Sequence, residues 1–185
     1  MAASKPVIYR SAMDFTATAF RFWLDGGIAG DLGVVAYPTE GGAGVTGGLG
    51  FGFGEDLSKG VGLELQVREL LQPSDDRHVS SIGVIVRFPA DDGPWIGLGG
   101  THHHELPWSL YKEDPVDAAL ATHVDITHRT GFEVAAGWDF APTAPNSPVA
   151  SRFRPALQAS VAFLPGTDGP LIYGILRATM RLGIK

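Results

Sequence analysis

From His123 to Phe140 the chain alternates with a period of two residues. Val124, Ile126, His128, Thr130, Phe132, Val134, Ala136, Trp138 and Phe140 share one parity, and His123, Asp125, Thr127, Arg129, Gly131, Glu133, Ala135, Gly137 and Asp139 share the other. Successive side chains of a strand point to opposite faces, so the first set forms a mostly apolar face ending in Trp138 and Phe140, while the second is charged or very small. Such a strand suits a membrane barrel, with lipid against one face and a polar lumen behind the other. A soluble sandwich would put the charged face in water instead, so the choice falls to the neighbouring segments.

Those segments repeat the pattern. From about Phe15, Phe20, Phe22 and Leu24 oppose Arg21, Trp23 and Asp25; the turn-rich 26–42 that follows is either a loop or an extension of this strand. Gly44 to Gly54 sets Val45, Leu49, Phe51 and Phe53 against Thr46, Gly48, Gly50 and Gly52. A column of glycines is a poor choice for a face in water, but it makes room for large lumen side chains from neighbouring strands. Val61, Leu63, Leu65 and Val67 then alternate with Gly62, Glu64, Gln66 and Arg68, and Ile82, Val84, Val86 and Phe88 with Ser81, Gly83, Ile85 and Arg87. Trp95 to Leu106, His123 to Phe140, Phe153 to Leu164 and Leu171 to Lys185 complete the set, with short Pro-, Asp- and Gly-rich segments such as PADDGP and PGTDGP reversing the chain.

The expectation is therefore an all-β chain: a single antiparallel up-and-down transmembrane β-barrel of about eight strands, with residues 1–14 an unassigned N-terminal tail and residues 15–185 the barrel domain. If the first strand ascends from the periplasm, Phe51, Phe53, Phe88, Trp138 and Phe140 reach the periplasmic end of their strands. Trp108, Tyr111, Phe163 and Tyr173 reach the other end, giving two aromatic belts.

Composition narrows the functions. The 185 residues contain no cysteine, which removes disulfides, thiolate metal sites and thiol nucleophiles. A formal net charge of -6 with singly scattered arginines argues against a nucleic-acid partner. No apolar run approaches the roughly 20 residues of a membrane helix. The start, MAASKPVIYR, lacks the apolar core of a secretory signal, so the expectation is an exported form whose signal has been removed, with Ala2, Ala3 and Ser4 beside the cleavage point.

The alternating strands, their even number and the closing segment YGILRATMRLGIK resemble the small OmpA-like and OmpX-like outer-membrane β-barrels, as a pattern over Phe15 to Lys185 rather than as a motif. The chain departs from that family at Lys185, where the last strand usually ends in an aromatic residue. The resemblance implies location in the outer membrane of a Gram-negative bacterium, contact with the lipid bilayer and lipopolysaccharide, and a monomer.

Three groups of residues are candidates for chemistry. The lumen parity collects Glu64, Arg68, Arg87, Asp125, Arg129, Glu133, Arg154, Arg177 and Arg181, together with Arg21, Asp25, Glu105 and Asp139. Enclosed charges must pair, because an unpaired buried ion costs several kcal/mol, so a plugging ion-pair network is expected; the alternative is a narrow conduit for ions or small solutes running past Glu133 and Arg129. His78, His102, His104 and His128 share the outer parity near the extracellular ends of consecutive strands. There His102 and His104, as His-x-His, have usable metal-ligand spacing, or would meet lipopolysaccharide phosphates. His102, His103, His104, Glu105 and Ser109 are the residues a lipid-A-modifying hydrolase would draw on, but their order and spacing do not match a deacylase. The expectation is a non-enzymatic structural or surface-interaction protein without a cofactor, meeting extracellular partners through its largest loop, Glu105 to Thr122. A soluble lipocalin-like ligand binder is the remaining alternative, and it would reverse every parity by lining the interior with the aliphatic set.

Overall fold

The computed structural model describes residues 19–34, 41–113, 126–142, 152–167 and 169–184. Eight strands follow one another in chain order: β1 (Ala19–Val34), β2 (Gly42–Gly54), β3 (Val61–Gln72), β4 (Arg77–Phe88), β5 (Gly93–Pro107), β6 (Thr127–Asp139), β7 (Phe153–Leu164) and β8 (Leu171–Ile184). Each is antiparallel to the next, and β8 pairs with β1 to close the barrel. A short helix, α1 (Trp108–Glu113), caps the end of β5. The end of the barrel that carries α1 is called the α1 rim below, and the end where β1 begins the far rim.

Closure explains where the strands outrun their sequence signal. Gly26 to Val34 is rich in turn-forming residues, yet it extends β1, because Gly26 faces Gly47 of β2 and Met180 of β8, so the backbone is paired on both sides. The strand expected to start at His123 begins at Thr127. The N-terminal tail 1–14, His123, Val124 and Asp125 lie outside the described residues.

The sheet faces as the alternation requires. Glu133 and Glu64 are 0 % exposed, whereas Phe132 and Val134 are 54 % and Ile96 67 % exposed on the outer wall. A lipocalin-like interior is thereby excluded. Along β8 the outer positions run from Ile172 to Leu182; at about 3.3 Å per residue and a tilt of about 40° they cover about 25 Å along the barrel axis, the height of a bilayer-facing apolar band. Among the described residues no helix is long and apolar enough to cross a membrane. The outer wall is made by strands.

One belt residue was misplaced by the sequence pattern. Tyr173 is fully buried inside the barrel, since the odd-numbered positions of β8 share the side of Arg177 and Arg181. Phe163 does stand on the outer wall, against Phe132 at 5.3 Å between ring centroids. The expected loop from Glu105 also begins later, because Glu105, Leu106 and Pro107 belong to β5, with α1 directly after them.

Candidate functional site

The lumen is filled in storeys, and each storey is set by which strands bring a charge to the same height. At the far rim the turn between β4 and β5 folds inward, so that Asp92 takes Arg21 and Arg154 at 2.5 Å each. Within the charged lumen, Arg154 therefore pairs in a cluster at the rim, apart from the central storey. Asp92 sits in a turn, and nothing in the strand alternation points to it.

Above that rim lie two tryptophans, Trp23 and Trp95, with the guanidinium of Arg87 at 5.4 Å from one ring and 4.5 Å from the other. These rings fit because glycines face them. A Cβ on Gly50 would come within 2.2 Å of the Trp23 ring, and one on Gly137 within 2.4 Å of Trp95.

The central storey holds three carboxylates, Asp25, Glu64 and Asp139, and three guanidiniums, Arg87, Arg177 and Arg181. Glu64 meets Arg177 at 2.9 Å, Arg181 at 3.0 Å and Arg87 at 3.8 Å. Asp139 accepts from the Trp95 indole at 3.1 Å and pairs with Arg87 at 2.8 Å, while Asp25 pairs with Arg177. Opposite charges match in number, which removes the largest objection to burying them together. Gln66 and Gln158 then bridge upward, the Gln66 amide donating to Glu64 at 2.8 Å and to Gln158 at 2.9 Å. Above them Arg68 grips both oxygens of Glu133 at 2.8 and 2.9 Å.

Toward the α1 rim the lumen gains an apolar cluster beside buried Asp31, Gln72 and His103. Ala29, Leu70, Val79, Ala162, Leu164, Leu171, Tyr173 and Ile175 form one buried cluster inside the barrel. The aromatic ring of His103, fully buried, lies 5.2 Å from that of Tyr173. Glu105 closes this end, paired with Arg77 at 2.7 Å and lying 3.8 Å from Arg129, whose guanidinium also donates to the carbonyl of Gly169 at 3.1 Å. Asp125, the remaining member of the expected network, lies outside the described residues. The apolar storey did leave a trace in the sequence. Leu70-Leu71, Phe163-Leu164 and Leu171-Ile172 are adjacent apolar pairs at the strand ends next to this rim, where alternation stops because both faces are apolar.

On the outer wall, β5 and β6 bring His102, His104 and His128 together. His104 lies opposite His128 in the ladder, and His102 opposite Thr130. His78 goes elsewhere: it is buried against the Trp108 ring and pairs with Glu69 at 3.1 Å. Ser109 is also committed, since its hydroxyl donates to Asp76 at 2.6 Å and its amide at 2.8 Å, and His103 points into the lumen while His102 and His104 point out. The residues a hydrolase would need are thus spread over two faces and a rim.

Neisserial surface protein A has a similar structure, with a TM-score of 0.52 over 87% of this chain and 96% of its own at 13% identity. The chain has the fold of the small outer-membrane β-barrels. Ail, the attachment invasion locus protein of Yersinia pestis, is similar at a TM-score of 0.48 and 15% identity, covering 88% of this chain and 98% of its own. Ail in complex with the heparin analogue sucrose octasulfate gives 0.47 and 13%. No family model matches the sequence, and no curated protein sequence matches it.

In this barrel Asp76 ties the start of α1 to the turn between β3 and β4. Asp76, at a φ of 48° in the left-handed region, follows the short 3-10 turn Pro73–Asp75. Its side chain takes both Ser109 donors and its carbonyl accepts from the Trp108 amide at 2.7 Å. The Ser109 hydrogen bonds hold the Asp76 carboxyl below the usual carboxylate range. A carboxyl with a depressed folded pKa contributes above its unfolded value and loses that contribution as pH falls through the folded one, so the tether persists at neutral pH and is lost as pH falls through that lowered pKa. Asp76→Ala is expected to speed amide exchange over Trp108 to Glu113 while leaving the strands protected. Unchanged exchange there would show that α1 is held by something else.

Proposed function

We propose that this chain is a non-enzymatic protein of the bacterial outer membrane, a sealed pillar that carries its α1 rim to the outside of the cell. The observation that carries the reading is the double closure of the lumen. Balanced buried ion pairs fill its middle, and the apolar cluster around Leu70, Val79, Leu164 and Leu171 fills the end near α1. Packed aliphatic side chains offer water and ions no hydrogen bonds, and the polar side chains beside them, Asp31, Gln72 and His103, are themselves buried, so that storey adds a second closure to the ion pairs.

A closed lumen leaves the rims and the outer wall to do the work. Glu105 to Thr122 contains the longest connection at the α1 rim, and its tethered start, with Trp108 and Lys112, gives a partner a fixed place to bind. Lipid covers the apolar wall, and lipopolysaccharide is the neighbour at its upper edge. The lumen network then serves to hold eight strands at one spacing, and the protein acts as a monomer.

Purified barrel in planar lipid bilayers is expected to give no steady ion conductance. Conductance steps that change with Arg129→Ala or Glu133→Gln would replace this reading with the channel. Dependence on detergent for monodispersity, with heat-modifiable migration on a gel, checks the membrane assignment separately.

A further inference from the structure

We propose that His102, His104 and His128 form a three-imidazole site for a divalent transition-metal ion of the zinc(II) type, on the outer wall of the barrel just above its apolar band. One ligand atom from each of the three lies within 4.8 Å of the other two. The sheet imposes this grouping. His102 and His104 are two residues apart on one strand and so share a face, and His104 has His128 directly across the ladder. The rings of His104 and His128 lie 4.4 Å apart, and those of His102 and His104 4.8 Å.

The fourth corner of this square orients the first. Thr130, across from His102, places its hydroxyl 2.6 Å from Nδ1 of His102. That leaves Nε2 of His102 turned toward Nε2 of His104, 2.9 Å away. Two imidazole nitrogens at that distance cannot both carry a proton, so at least one lone pair already points into the space between the rings. A zinc ion with Zn–N bonds of about 2.0–2.1 Å holds tetrahedral nitrogens roughly 3.3 Å apart. His102 and His104 need to part by a few tenths of an ångström, and His128, which is exposed, swings in from the other strand. With Nδ1–H of His102 donating to the Thr130 hydroxyl, Nε2 is left as the metal-binding nitrogen and the ring is held in place, the part that a carboxylate, carbonyl or water plays behind most metal-bound histidines.

The donor set selects the ion. Neutral imidazoles suit zinc, copper(II) and nickel(II), whereas calcium and magnesium take oxygen ligands. Glu69, on β3, lies two strands from His104 with β4 between them, and is already engaged with Ser80 at 2.7 Å and His78 at 3.1 Å. A metal held by three histidines therefore keeps a coordination position for water or for an oxygen ligand from the surroundings, and all of this stands outside the lumen and independent of whether the lumen conducts.

The test is titration of tag-free folded barrel in zwitterionic detergent with zinc chloride at neutral pH, followed by calorimetry. One equivalent of zinc is expected to bind, magnesium chloride is expected to give no heat, and binding is expected to weaken at pH 5 as protons compete for the rings. His104→Ala and His128→Ala are expected to abolish it. Thr130→Val is expected to weaken it about 10–100-fold, and His78→Gln to leave it unchanged. Because all three ligands lie outside the lumen, heat-modifiable migration reports that the variants fold. The histidine ring resonances of the wild-type barrel give a second readout that needs no variant, with zinc moving those of His102, His104 and His128. Absence of zinc binding to the folded wild type, or binding that survives in the His104→Ala/His128→Ala barrel, would overturn the site.

Discussion

Replacing Glu64 by Gln is expected to destabilise the folded barrel by about 3–5 kcal/mol, because it leaves buried guanidiniums without their shared counter-charge. Glu64 is fully buried and meets Arg177, Arg181 and Arg87 at once. Without it, Asp25 and Asp139 face three arginines, none of which has a route to water. Removing one arginine as well should restore the balance. In Glu64→Gln/Arg87→Leu the two remaining carboxylates face Arg177 and Arg181 alone, and the double variant is expected to be more stable than the sum of the two single losses predicts, by about 1–3 kcal/mol. Urea unfolding in detergent or lipid, followed by tryptophan fluorescence and gel migration, measures all three. Losses that simply add would mean that the guanidiniums do not share Glu64 as the distances suggest.

Why this network could be read only in part from the sequence is a matter of distance along the chain. Alternation identifies which charges face inward, one strand at a time, because the period of two is a local property of the backbone. Partners are set by register around a closed barrel, and Glu64 and Arg177 stand 113 positions apart. Arg154 shows the consequence. Its parity is right, but its partner Asp92 lies in a turn that folds under the far rim, outside any strand pattern. Tyr173 failed for a different reason: its aromatic character suggested the lipid interface, while its parity with Arg177 already placed it inside. The histidine cluster was visible as His78, His102, His104 and His128 on the outer parity of consecutive strands, but only the register of β5 with β6 sets His128 across from His104 and Thr130 across from His102, while His78 turns to Glu69 and Trp108.

The glycines separate two ways of filling a small barrel, and substitution is expected to tell them apart. A Cβ on Gly50 would lie 2.2 to 2.5 Å from three atoms of the Trp23 ring. Gly50→Ala is therefore an overpacking change, expected to cost about 1–3 kcal/mol. The obstacle is a side chain, so shrinking it should help: Gly50→Ala combined with Trp23→Leu is expected to be more stable than the two separate losses added together. Gly99 is different. Its Cβ would sit 1.9 Å from the carbonyl oxygen of Val84 and 2.9 Å from the Cα of Ile85, both in the backbone of the neighbouring strand. No rotamer change relieves that contact, and moving β4 away would break its ladder with β5, which runs from Arg77 opposite Pro107 to Phe88 opposite Ile96. Gly99→Ala is accordingly expected to prevent the heat-modifiable form from appearing on refolding, and trimming Ile85 to Ala should not bring it back. Recovery on trimming Ile85 would place the obstruction in side-chain packing. Failure of that rescue, beside success at Gly50, would locate the constraint where the strands themselves come too close for any side chain, so that Gly99 sets the curvature of the wall and Gly50 only the size of what the wall encloses.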